Sequence, residues 1–130
     1  MSKAATKPPD MTMSLTAKPS EIGGIRRTVI SFLQECGLDS ISDDVALVVS
    51  ELLANVHEHA QGVCDLEIRQ EGEKLLVEVS DTVMAPPTLR SGSVSAEAGR
   101  GLLLVDALTE HWETTITATG KVITCAFRTS

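Results

Sequence analysis

Two alternating runs joined by a short turn constrain this chain more than any other feature. Cys64, Leu66 and Ile68 alternate with Asp65, Glu67 and Arg69; Leu75, Val77 and Val79 then alternate with Leu76, Glu78 and Ser80. A period of two puts each apolar set on one face of a strand. The Glu71-Gly72-Glu73 segment between the runs predicts a hairpin. Such a pair has one apolar face, which needs a second layer to cover it.

Candidates for that layer lie on the N-terminal side. Pro19-Ser20 opens a helix with apolar positions at Ile22, Ile25, Val29, Phe32, Leu33 and Cys36, and Gly37 is its stop. A second helix is expected from near Ser42 to about Ala60, with Asp43 and Asp44 at the positive end of its dipole and Gly62 ending it. Met11–Thr16 alternates apolar and hydroxyl side chains and predicts a short strand. Leu102 to about Trp112 predicts a third helix, followed by a closing hairpin of Thr114–Ala118 and Val122–Arg128. Helices and strands segregate rather than alternating as βαβ units. The expected class is α+β: a two-layer sandwich, mainly antiparallel, with helices on one face. Residues 1–10 are expected to be a disordered tail, and residues 11–130 one domain.

Bulk properties narrow the function. Net charge is −7, and because residues 1–20 carry +2, residues 21–130 carry −9. So acidic a body repels phosphate backbones. With Phe32, Trp112 and Phe127 as its only aromatic residues, it offers no platform for stacking bases. Direct nucleic-acid binding is not expected. A basic protein partner suits such a surface, although acidity also serves solubility alone. Cys36, Cys64 and Cys125 are odd in number and form no CxxC pair, which predicts reduced thiols in a cytoplasmic protein. No run approaches the roughly 20 apolar residues of a membrane span.

The second helix carries the most chemistry. Val45, Val48, Val49, Leu52 and Val56 form an apolar stripe, and Glu51 and Asn55 sit four residues apart at its edge. An amide oxygen beside a carboxylate suits a hydrated Mg²⁺. The carboxylate could also take a proton from a hydroxyl. Equally, the pair fits the polar rim of any amphipathic helix. Gly99-Arg100-Gly101 precedes the third helix, where bare backbone N–H groups and an arginine fork suit a phosphate, or where a plain turn starts the helix. Asp81 closes a strand, either as a turn residue or as an acceptor for an adenine amino group. His57 and His59 point about 200° apart on a helix and cannot easily share one ion with Cys64.

In this order, Glu51…Asn55, Asp81 and Gly99-Arg100-Gly101 resemble the N, G1 and G2 boxes of the GHKL (Bergerat-fold) ATPases. The phrases SELLANVHEHA, VEVSDTVMAPP and GRGLLLVDALTEHW look like the small actinobacterial relatives of the anti-sigma-factor serine kinases. The resemblance spans about residues 11–130. It implies that Asn55 ligates Mg²⁺ on the phosphates of ATP and that Glu51 is the base activating a protein serine or threonine hydroxyl. It further implies that Asp81 recognises adenine, that Gly99, Arg100 and Gly101 cradle phosphates, and that residues 84–98 form an ATP lid. Two positions depart from the pattern. Val83 stands where the family commonly has Gly, so a side chain would narrow the adenine site, and His57 stands where an apolar residue is usual.

The resemblance implies a serine/threonine kinase that regulates transcription by partner switching. It would bind a sigma factor or a STAS-type anti-sigma antagonist and phosphorylate the latter, and the family's habit of pairing implies a homodimer to which the Met11–Thr16 edge could contribute. The alternative is a non-catalytic module of the same fold that sequesters those partners; intact Glu51 and Asn55 favour the enzyme, and Val83 favours the module. A third reading, a piece of a sensor histidine kinase, lacks a phospho-acceptor helix pair in this sequence.

Overall fold

A computed structural model describes residues 10–59, 63–81 and 103–129, the side chain of His59 excepted. Its elements are β1 (Asp10–Thr16), α1 (Pro19–Glu35), α2 (Asp39–His59), β2 (Val63–Glu71), β3 (Lys74–Asp81), β4 (His111–Ile116) and β5 (Lys121–Arg128). Residues 103–108 are helical. The five strands form one sheet in the order β1-β2-β3-β5-β4, and all four pairings are antiparallel. The α+β architecture is the one expected.

The expected hairpin is β2–β3, and Gly72 at its turn has a φ of 61°, a left-handed conformation that glycine adopts without strain. Register then decides the two faces. Leu66 lies opposite Val79, Ile68 opposite Val77, Val77 opposite Cys125, and Val79 opposite Ile123. These residues are buried, and they join Val29 and Leu33 of α1 and Val45, Val49, Leu52 and Val56 of α2 in one aliphatic core. On β1, Met11, Met13 and Leu15 extend the same face and pack against its margin.

The end of α1 explains where α2 begins. Gly37 has a φ of 77°, its N–H donates to the Gln34 carbonyl at 3.0 Å, and the Leu38 N–H donates to the Leu33 carbonyl at 2.8 Å. This double closure reverses the chain within two residues. Consequently α2 starts at Asp39, three residues before the expected Ser42. The Ser42 hydroxyl donates back to the Asp39 carbonyl at 3.0 Å, as a residue inside a helix does.

The third helix ends earlier than expected. Helix ends by residue 108, and Trp112 lies on β4 rather than on a helix. The Glu110 N–H donates to the Ala126 carbonyl at 2.8 Å, so the backbone has already joined the sheet there. Thr114, Thr115 and Ile116 are β-branched and favour that outcome. The Trp112 indole N–H still reaches back to Asp106 at 3.0 Å, tying the helical segment to the sheet. Asp10, expected in the tail, opens β1, while residues 1–9 lie outside the described residues.

Candidate functional site

Helix α2 packs on β2 and β3, and its edge carries the first two site residues. Glu51 is half-buried and Asn55 is buried, one turn further along. The buried polar residues around them are engaged. The Ser50 hydroxyl donates to the Ala46 carbonyl at 2.9 Å and accepts from Arg26 Nε at 3.1 Å, and Ser42 is bonded as described above. Among the described residues, neither Glu51 nor Asn55 makes a side-chain hydrogen bond or ion pair. His57, on the same helix, is exposed, as its phase predicts.

Asp81 is the last residue of β3 and lies opposite Lys121, the first of β5. Their side chains are 1% and 2% exposed, and Lys121 Nζ stands 3.0 Å from Asp81 Oδ2 and 3.2 Å from Oδ1. The pair lines a cavity of about 360 Å³ together with Cys64, Asp65, Ser80, Thr117 and Thr119. That volume lies within the usual range for small-molecule sites. No residue of α2 lines it, so Glu51 and Asn55 stand on one element and Asp81 on another. Gly99, Arg100, Gly101, the segment 84–98 and Val83 lie outside the described residues.

Lys121 is the residue that sequence reasoning passed over, although a signal existed. Leu75, Val77 and Val79 end in Asp81, and Ile123, Cys125 and Phe127 begin with Lys121. Each charge thus sits in phase with an apolar strand face. Two opposite charges closing paired apolar runs predict a buried ion pair.

The three thiols are held protonated. Cys64 is pushed up to about 11, chiefly by burial and then by the charges of Asp65 and Asp81. Burial pushes Cys125 up to about 12, and Cys36 is raised by burial and then by Glu35. A folded-state value above the ordinary 9.0 means that the thiols favour the fold below pH 9. Their contribution is lost as pH rises from there through about 11 to 12. At pH 8, an aromatic disulfide reagent is therefore expected to label half-buried Cys36 first, and Cys64 and Cys125 only after denaturant is added. Equal labelling rates for all three thiols in the native protein would contradict this placement.

Among the described residues, no three His, Cys, Asp or Glu side chains gather as a protein-only metal cage. Glu51 and Asn55 carry oxygen donors, the ligand type that an ion such as Mg²⁺ takes alongside waters and phosphate oxygens. No helix among the described residues is long and apolar enough to cross a membrane.

The family profile described as Histidine kinase-like ATPase domain matches residues 15–127. Among solved structures, the chain is similar to the RsbU and RsbW domains of Rv1364c from Mycobacterium tuberculosis, with 22% identity and a TM-score of 0.67 over 92% of this chain and 32% of that one. It is also similar to the histidine kinase domain of a blue-light activated histidine kinase from Erythrobacter litoralis EL346, with 19% identity and a TM-score of 0.55 over 84% of this chain and 59% of that one. The chain thus spans about a third of the first and under two thirds of the second. At these identities the likeness is one of fold. No curated protein matches the chain.

Proposed function

The chain belongs to the family of histidine kinase-like ATPase domains, and we propose that it transfers a phosphoryl group from ATP to a serine or threonine of a STAS-type anti-sigma antagonist. The observation that supports this most is Asn55. As a residue it is 9% exposed, and its side chain makes no protein hydrogen bond among the described residues, one helical turn from Glu51. An amide held in that way suits a ligand that brings its own polar partner.

In this reading Asn55 would hold Mg²⁺ through its side-chain oxygen, and Asp81 would accept a hydrogen bond from the adenine amino group. Gly99, Arg100 and Gly101 hold the phosphates. The bound Mg²⁺ supplies neutralisation of the phosphate charge. Glu51 accepts the proton of the incoming hydroxyl. The hydroxyl oxygen bonds to the terminal phosphorus as the bond to the bridging oxygen breaks, leaving a phosphoserine, ADP and a proton on Glu51. Positioning and charge neutralisation account for most of the rate in such a transfer.

A second reading, the non-catalytic module that sequesters a sigma factor or its antagonist, draws on Lys121. The carboxylate meant to read adenine is already engaged by a buried ammonium. Nucleotide linkage tests whether the domain binds ATP, which the kinase reading requires. ATP with Mg²⁺ at about 100 times its dissociation constant should stabilise the native state by about 2.7 kcal/mol, read as a rise in melting temperature. Asn55→Ala should remove the Mg²⁺-dependent part of that rise. An unchanged melting temperature at millimolar ATP would remove nucleotide from the account and leave the module.

A further inference from the structure

Strand β4 is an edge: β5 pairs with one side of it, and among the described residues no strand pairs with the other. The Thr117 N–H donates to the Gly120 carbonyl at 2.8 Å, and these two residues continue the β4–β5 register. Bonded and non-bonded pairs alternate along an antiparallel ladder. His111, Glu113 and Thr115 therefore turn their backbone groups toward β5, and Trp112, Thr114 and Ile116 turn theirs away from it. Edges of this kind are commonly blunted by lysine or proline, and His111–Ile116 contains neither. The side chains on the core face supply a second observation. Trp112 packs against the core margin, whereas Ile116 is 46% exposed. On β1, the opposite edge, Met11, Met13 and Leu15 all pack against the core.

We propose that the β4 edge pairs with β4 of a second copy of this chain, antiparallel and centred on Thr114. The register selects that occupant. With Thr114 opposite its own copy, Trp112 lies opposite the partner's Ile116, and Ile116 opposite the partner's Trp112. Each contact thus occurs twice, as in any two-fold interface. An aromatic ring beside a β-branched side chain is a favourable cross-strand pair. Trp112, Thr114 and Ile116 are also the residues whose backbone groups point outward, so each of these pairs exchanges both of its bonds. Glu113 meets the partner's Thr115. A shift that centres the pairing on Glu113 instead sets two carboxylates opposite each other, which is unfavourable, and parts Ile116 from the indole. The two-fold axis stands perpendicular to the sheet. Both helical layers, and with them both Glu51 and Asn55 pairs, then lie on the same side of one continuous sheet.

Sedimentation equilibrium of the intact chain at tens of micromolar tests the proposal. Wild type should have twice the 13.8 kDa mass of the chain. Thr114→Pro removes an outward N–H and leaves the bonds to β5 in place, and an edge strand tolerates proline at such a position. That variant should be a monomer. Ile116→Lys alters an exposed site and should raise the dimer dissociation constant by roughly 10-fold or more, because the same apolar contact is lost twice. It decides the matter alone should Thr114→Pro not fold, as judged by circular dichroism. A monomeric wild type would overturn the proposal. So would a dimer whose dissociation constant is unchanged in Ile116→Lys, which would place the interface on another surface, such as the β1 edge.

Discussion

Glu51→Gln is expected to lower phosphoryl transfer by roughly 10²–10⁴-fold, the range typical of losing a general base, while ATP binding stays close to wild type. The substitution keeps the shape of a half-buried side chain that makes no hydrogen bond or ion pair among the described residues. Little of the fold therefore depends on its charge. An amide cannot take the hydroxyl proton, so the loss falls on the chemical step rather than on nucleotide affinity. Single-turnover transfer at saturating ATP separates the two. A rate within a few-fold of wild type would show that Glu51 is not the base.

The second large effect concerns stability. Lys121→Met leaves the Asp81 carboxylate, 1% exposed, without its ammonium, and breaking a buried pair from one side costs about 3–5 kcal/mol. Asp81→Asn together with Lys121→Met removes both charges and should recover most of that loss. Urea unfolding at pH 7 measures each. A single variant as stable as wild type, or a double variant no better than the single, would contradict the burial of this pair. The same coupling has a practical consequence. Asp81 supports Lys121, so substitutions at Asp81 disturb the sheet end as well as any base contact.

The parts of the fold that were legible in the sequence are those with a local cause. The alternation on either side of Gly72 encodes β2–β3, and Gly37 stops α1 because it alone takes a left-handed turn there at no cost. The places that misled have non-local causes. Ser42 resembles a helix start, yet the Gln34 and Leu33 carbonyls close α1 so tightly that α2 begins at Asp39. Trp112 fits the period of a third helix, but hydrogen bonding to Ala126 of β5 claims the backbone first. At the site, Glu51 and Asn55 were legible because their spacing on one helix edge is itself local. Lys121 was not, because its role appears only when β3 and β5 are aligned and its partner is forty residues away in sequence.

Phosphoryl transfer to a partner protein is the central claim, and one measurement addresses it directly. Purified wild-type protein is incubated with Mg²⁺ and ATP labelled in its terminal phosphate, together with STAS-domain proteins, and the products are read by phosphopeptide mass spectrometry. The account predicts label on a single serine or threonine of one STAS protein, dependent on Mg²⁺ and lost in Glu51→Gln. Tight binding of a STAS partner with no label transferred would contradict it, and would make Glu51 and Asn55 relics in a domain that acts by sequestration alone.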